Sequence, residues 1–181
     1  MRLTKRRIYI LTLITLFGMG GLGIVLIKFF GDSSFKEILG EGRSLSGQLA
    51  IGVAYGIIVA TLLTFALDRP PLNKVQDFFG DLLEDVHLNY FDVIWFSLCA
   101  GIGEEILFRA AIQPHFGIWP TAIVFILLHG YINPFRLSLS IYGVLLIIVS
   151  AGLGYLYAYF GLVCAITAHF MIDVILFRKI R

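Results

Sequence analysis

Six predominantly apolar stretches, at about 8–30, 45–67, 91–113, 117–133, 138–159 and 161–177, divide the chain. Each approaches or exceeds the roughly 20 residues that an α-helix needs to cross the hydrocarbon core of a bilayer. Inside that core no water can satisfy a free backbone N–H or C=O, so such stretches must be helical. The composition agrees, since 59% of the 181 residues are hydrophobic and 14% are charged, against about 25% charged in a soluble domain. The expected fold is therefore all-α: a polytopic transmembrane helical bundle of about six membrane helices. The fourth and sixth stretches are short, and only Tyr159, Phe160 and Gly161 separate the fifth from the sixth, so five or seven spans are the alternative counts.

Charge then orients the bundle. Arg2, Lys5, Arg6 and Arg7 crowd the start, and Arg178, Lys179 and Arg181 crowd the end. Positive residues stay on the cytoplasmic side, so both termini are expected there, which requires an even number of spans in the cell membrane. Arg69, Lys74 and Arg136 fall in loops on the same predicted side, while the 31–44 loop mixes Lys36 and Arg43 with Asp32, Glu37 and Glu41. This basic bias is a topology signal, and no nucleic-acid partner is expected; the bilayer lipid is. The first stretch exceeds a typical signal-peptide core and is not followed by a small-x-small cleavage site, so it reads as a retained signal anchor. Cys99 and Cys164 show neither paired nor metal-ligand spacing.

Between the second and third stretches, a Pro70-Pro71 break precedes Val75, Phe78, Phe79, Leu82, Leu83 and Val86 at helical spacing. This predicts an interfacial amphipathic helix whose polar face (Asp77, Asp81, Glu84, Asp85) is acidic, either as a connector or as a lid. Gly52-x-x-x-Gly56 predicts close helix approach, read as packing within the chain rather than dimerisation; the oligomeric state is not legible.

Ionisable groups at membrane depth are costly and usually face the bundle interior. They concentrate in three stretches: Glu104, Glu105 and Arg109 in the third, His129 in the fourth, His169 and Asp173 in the sixth. Glu105 with Arg109 and His169 with Asp173 are four apart and share a helix face, as do Phe125 and His129. Glu104 is turned about 100° from Glu105, so the two carboxylates serve different ends. The favoured reading of Glu105 with Arg109 is a buried ion pair, which leaves Glu104 free to act as a base on water. Two histidines and two carboxylates could also hold a divalent metal such as zinc through Glu104, His129, His169 and Asp173. There is no His-Glu-x-x-His, and spacing neither supports nor excludes a metal.

The segments Glu104–Arg109 (EEILFR), Phe125–His129 (FILLH) and His169–Asp173 (HFMID) together resemble the CPBP family of intramembrane proteases, also called the Abi or type II CAAX prenyl protease family. The resemblance covers about residues 91–177. It implies a catalytic core at 91–181 preceded by N-terminal spans and the interfacial helix at 1–90, in one compact membrane domain. It also implies peptide-bond hydrolysis within the bilayer on a peptide or membrane-protein substrate. By motif position, Glu104 would activate water with help from His129, and His169 and Asp173 would hold the substrate carbonyl or its oxyanion. Glu105, Arg109 and Phe125 would support them. The family's well-studied prenyl proteases have Asn where this chain has Asp173, and an ionised carboxylate cannot donate a hydrogen bond to an oxyanion. Asp173 would then be protonated, orient His169 or bind metal. The alternative is a non-catalytic immunity or scaffold protein that binds a peptide in the same cavity.

Overall fold

The computed structural model describes residues 4–84 and 86–180. Arg2, Asp85 and Arg181, which enter the charge readings above, lie outside the described residues. Eight helices follow in order: α1 (Lys5–Phe30), α2 (Phe35–Gly40), α3 (Leu45–Leu67), α4 (Asn73–Leu83), α5 (90–116), α6 (Ile118–Leu128), α7 (Leu137–Phe160) and α8 (Leu162–Ile180). Two of them are π-helical in part, α1 over Ile14–Met19 and α5 over Ile106–Ile112. Among the described residues there is no strand.

Each of the six apolar stretches contains a helix, and three helices, α1, α3 and α7, are long and apolar enough to cross a membrane. Their outward faces carry exposed Phe17, Phe29, Leu62, Phe65 and Ile148. So much apolar surface suits a lipid solvent rather than water, and the molecule is a helical membrane bundle. The sequence predicts a fourth span over 117–133, but α6 has only 11 residues, about 16 Å of helix and too short to cross a bilayer unaided. It stops where His129 forms the C-cap and Gly130 takes φ +73°, a left-handed turn that glycine enters without steric cost. The amphipathic helix is also shorter than its apolar pattern. α4 ends at Leu83, and Val86 is buried in the following segment rather than on the helix.

α8 is central. It packs most extensively on α3, and also on α5 and α7. The α3 contact is a small-residue seam: a Cβ on Gly52 would lie 2.7 Å from the Cys164 carbonyl, and one on Gly56 would lie 2.5 Å from Met171 Cβ. Gly52-x-x-x-Gly56 is thus spent on packing within the chain. α1 lies against α5 in the same manner, with Gly20 facing Gly103 and Gly23 facing Leu107.

The helix ends define two faces. On one, Lys5 Nζ lies 2.6 Å from Asp92, whose other oxygen accepts from the Tyr9 hydroxyl at 2.6 Å, so α1 and α5 start together. On the same face Arg178 covers the Tyr90 ring, and Lys179 lies 2.6 Å from Asp68. Lys179, and then Gln76, hold the Asp68 carboxyl below its ordinary pKa. The start of α1 and the end of α8 therefore share a face. On the opposite face the Gln48 amide donates to the Glu41 and Arg43 carbonyls and accepts from Cys164 N–H, locking α3 to the α7–α8 turn.

Candidate active site

The motif residues converge from three helices. α5 supplies Glu104, Glu105 and Arg109, α6 supplies Phe125 and, at its C-cap, His129, and α8 supplies His169 and Asp173. Twelve residues of regular helix separate Asp92 from Glu104, about 18 Å, and nine separate His169 from Arg178, about 13 Å. The cluster therefore sits deep between the faces, as membrane-embedded ionisable groups do.

Glu105 is fully buried and bridges two partners. Its Oε2 accepts from Arg109 Nε at 2.9 Å, and its Oε1 lies 2.8 Å from His169 Nδ1. Arg109, also fully buried, donates from Nη2 to Ser150 Oγ of α7 at 2.9 Å, while Nη1 is buried without a partner. Below it, Gln113 Nε2 donates to the Gly154 carbonyl at 3.0 Å, joining α5 to α7 a second time.

Glu104 points elsewhere, as a 100° turn requires. Its Oε1 lies 3.8 Å from His129 Nε2 and its Oε2 lies 3.8 Å from His169 Nε2, and the latter is 3.6 Å from Asp173 Oδ2. The two imidazoles are set by their other nitrogen. His129 Nδ1 is 2.7 Å from the Phe125 carbonyl, and a carbonyl can only accept, so Nδ1 carries the proton and Nε2 of the neutral ring turns a lone pair to Glu104. His169 Nδ1 likewise donates to the Glu105 carboxylate. Phe125 is the hub of the packing: its ring is 4.3 Å from His129, 4.9 Å from Phe108 and 6.3 Å from His169, and the Arg109 guanidinium lies over it at 5.6 Å. The Gly101 backbone approaches Ile166 and Phe170 closely enough that a Cβ there would be 3.2 Å from the Ile166 carbonyl, which brings α5 and α8 within reach of the Glu105–His169 bond.

A cavity of about 210 Å³ opens beside Glu104, His129, His169 and Asp173. A second, of about 410 Å³, lies under α4 between Phe78, Phe79 and Arg136, and both share His129 and Tyr131. Among the described residues no three His, Cys, Asp or Glu are already drawn together as a metal-ligating group.

Sequence reasoning placed Glu104, Glu105, Arg109, Phe125, His129, His169 and Asp173, and the fold brings all seven together. It missed Ser150, Gln113, Tyr131 and Tyr142, ordinary polar or aromatic residues without a spacing signal. It also missed Asp92, an acidic residue in the third apolar stretch that is buried by Lys5, Tyr9 and its capping partner Asn89.

Residues 86–175, which contain all three motifs, match the family described as type II CAAX prenyl endopeptidase, Rce1-like. The chain is also similar to the uncharacterized protein YpbD of Bacillus subtilis (strain 168), with 35% identity over 91 residues, 49% of this chain and 46% of that protein. The chain thus spans about half the length of the curated relative it matches. No solved structure matches it.

Proposed function

Since this chain belongs to the Rce1-like family of type II CAAX prenyl endopeptidases, we propose that it is an intramembrane endopeptidase that hydrolyses a peptide bond of a membrane-associated protein or peptide. One observation carries the reading: Glu104 faces two imidazole Nε2 atoms at 3.8 Å across a cavity. A water at about 2.8 Å from each can touch both the Glu104 carboxylate and His129 Nε2. Glu104 takes a proton as the water oxygen adds to the carbonyl carbon, while His129 holds the other hydrogen and so fixes the direction of attack. The carbonyl electrons move to oxygen, the tetrahedral intermediate collapses, and the C–N bond breaks as the amine leaves with the proton from Glu104.

His169 holds the substrate oxygen. In its imidazolium form, flanked by the carboxylates of Glu105 and Asp173, it offers an Nε2–H to the developing oxyanion. Glu105 and Arg109 act through His169 as positioning residues, and Asp173 orients the same ring from the cavity side. No step in this reading is routed through a metal: Glu104 and His129 between them hold and activate the water. By the positive-inside rule the face that holds the start of α1 and the end of α8 is cytoplasmic, and α4 lies on that side beside the larger cavity.

The test is cleavage in reconstituted membranes. Membrane proteomes exposed to wild-type and Glu104→Gln protein are compared to identify a cleaved peptide, and that peptide is then assayed with both and with His129→Ala. Both variants are expected to be inactive though folded and inserted, and a chelator should leave the wild-type rate unchanged. Cleavage retained by Glu104→Gln would sink the mechanism. A Glu104→Gln protein that binds the peptide and keeps the cellular phenotype would establish the non-catalytic binding reading instead.

A further inference from the structure

Among the motif residues that line the cavity, hydrogen-bond donors are few for the chemistry just described. An oxyanion is normally held by two preorganised donors. Here Asp173 faces His169 Nε2 at 3.6 Å and, as a carboxylate, can only accept. Of the motif residues that line the cavity, His169 is then the one the proposed mechanism leaves as a donor to the oxyanion.

Tyr131 supplies what is missing. It belongs to none of the three motifs, yet its side chain lines the same cavity as Glu104, His169 and Asp173, and it stands at the junction with the larger cavity under α4. Its position is fixed from several sides. The ring is parallel to His129 within 10°, with centroids 6.0 Å apart, and meets Tyr142 edge-on at 5.7 Å and Phe79 at 6.2 Å. Its backbone lies against Gly143 of α7, where an added Cβ would be 3.0 Å from Tyr131 Cβ. Asn133 N–H donates to Ser140 Oγ, and that hydroxyl donates to the Asn133 carbonyl, which pins the loop to α7. Buried tyrosine hydroxyls ordinarily find a partner. Tyr131 has no hydrogen bond to any described residue, and the residue is half-buried at the cavity wall.

We propose that Tyr131 is a further catalytic residue, its phenolic O–H donating to the oxyanion that forms when water adds to the scissile carbonyl. This rests on the reading of the cavity as a peptide-hydrolysing site. The stacked ring also shields His129, but the hydroxyl is the part that touches the reacting atoms. No proton is transferred: the O–H is a donor throughout, and its electrostatic contribution grows as the carbonyl oxygen gains charge.

Tyr131→Phe keeps the ring and removes only the hydroxyl. On the peptide that distinguishes wild-type from Glu104→Gln membranes, kcat should fall by about 10²–10³-fold, the usual loss for one oxyanion donor, with KM and melting temperature unchanged. The phosphinate analogue of that peptide, with a tetrahedral phosphorus in place of the scissile carbonyl, should bind the variant more weakly by a similar factor. A purely structural role would not separate the two affinities. Tyr131→Phe at the wild-type rate, beside an inactive Glu104→Gln, would overturn the Tyr131 assignment alone, as would unchanged phosphinate affinity. Cleavage retained by Glu104→Gln would overturn this assignment together with the hydrolase reading. An equal loss in Tyr142→Phe, with Tyr131 intact, would also overturn it.

Discussion

Replacing Arg109 by Met should be among the most damaging single changes in the bundle, and the structure indicates why. Guanidinium and carboxylate are both fully buried and 2.9 Å apart. At an effective dielectric of 20 their attraction is about 6 kcal/mol before desolvation is charged against it. Removing Arg109 leaves the buried Glu105 carboxylate with His169 as its remaining partner, and breaking such a buried pair costs about 3–5 kcal/mol. The Ser150 hydroxyl loses its donor as well. Replacing both partners, Glu105→Leu with Arg109→Met, removes the desolvation cost along with the attraction, and such swaps are often neutral or stabilising. The residual penalty is His169 Nδ1–H, which loses its acceptor at about 1–3 kcal/mol. The double variant should therefore recover much of the stability lost by Arg109→Met, while its peptidase activity stays low because His169 is free to turn. Equilibrium unfolding in detergent, paired with the cleavage assay, gives both readouts on the same preparations. A single-variant cost below about 1 kcal/mol would refute the buried-pair energetics. A double variant with wild-type activity would refute the positioning role of Glu105.

Two further outcomes follow from packing and from unpaired charge. Gly56→Val places its Cβ 2.5 Å from Met171 Cβ and 2.8 Å from the Ala168 carbonyl; prising α3 from α8 should cost about 1–3 kcal/mol or more, read as a lowered unfolding midpoint, whereas Gly80→Ala on α4, where an added Cβ meets nothing within 4 Å, should leave packing unchanged. Glu104→Leu should abolish cleavage yet leave the unfolding midpoint equal to or above wild type, in contrast to Arg109→Met; a large loss of stability would show that Glu104 is part of the scaffold.

The parts of this molecule that repeat a simple physical rule were legible in the sequence. Apolar stretches gave helices, a four-residue spacing gave the Glu105–Arg109 pair, and Gly52 with Gly56 gave a close helix contact. Where the rule is not local, legibility failed. Nothing about Ser150 or Gln113 distinguishes them from other polar residues, and only the approach of α7 to α5 makes them partners of Arg109 and Gly154. The same holds for His169, whose bond to Glu105 bridges 64 positions of sequence. The i, i+4 pairing with Asp173 suggested by spacing is the weaker contact, at 3.6 Å against 2.8 Å. The end of α6 shows the remaining limit. Hydropathy continues past Leu128 through Tyr131 and Ile132, but the backbone turns at Gly130, and a hydropathy average does not register a turn.

The contrast between two adjacent glutamates is what ties fold to chemistry here. Burying a carboxylate in a membrane helix costs about 2.5–3.5 kcal/mol on insertion scales, so each buried acid needs a compensating partner or a use. Asp92 has Lys5, Tyr9 and Asn89 within hydrogen-bond distance, and Glu105 has Arg109 and His169. Glu104 has no such bond among the described residues; two imidazole nitrogens face it at 3.8 Å. A direct hydrogen bond from the His169 ring would satisfy the carboxylate and occupy the lone pair needed to take a proton from water. Holding both rings just beyond that distance, by fixing His129 to the Phe125 carbonyl and His169 to Glu105, leaves the carboxylate unsatisfied by protein and open to solvent in the cavity. In the proposed mechanism Glu105 and Arg109 thus keep Glu104 reactive without touching it, by holding His169 away. Shortening the Glu105 side chain would then be expected to let His169 move toward Glu104 and quench the proposed base.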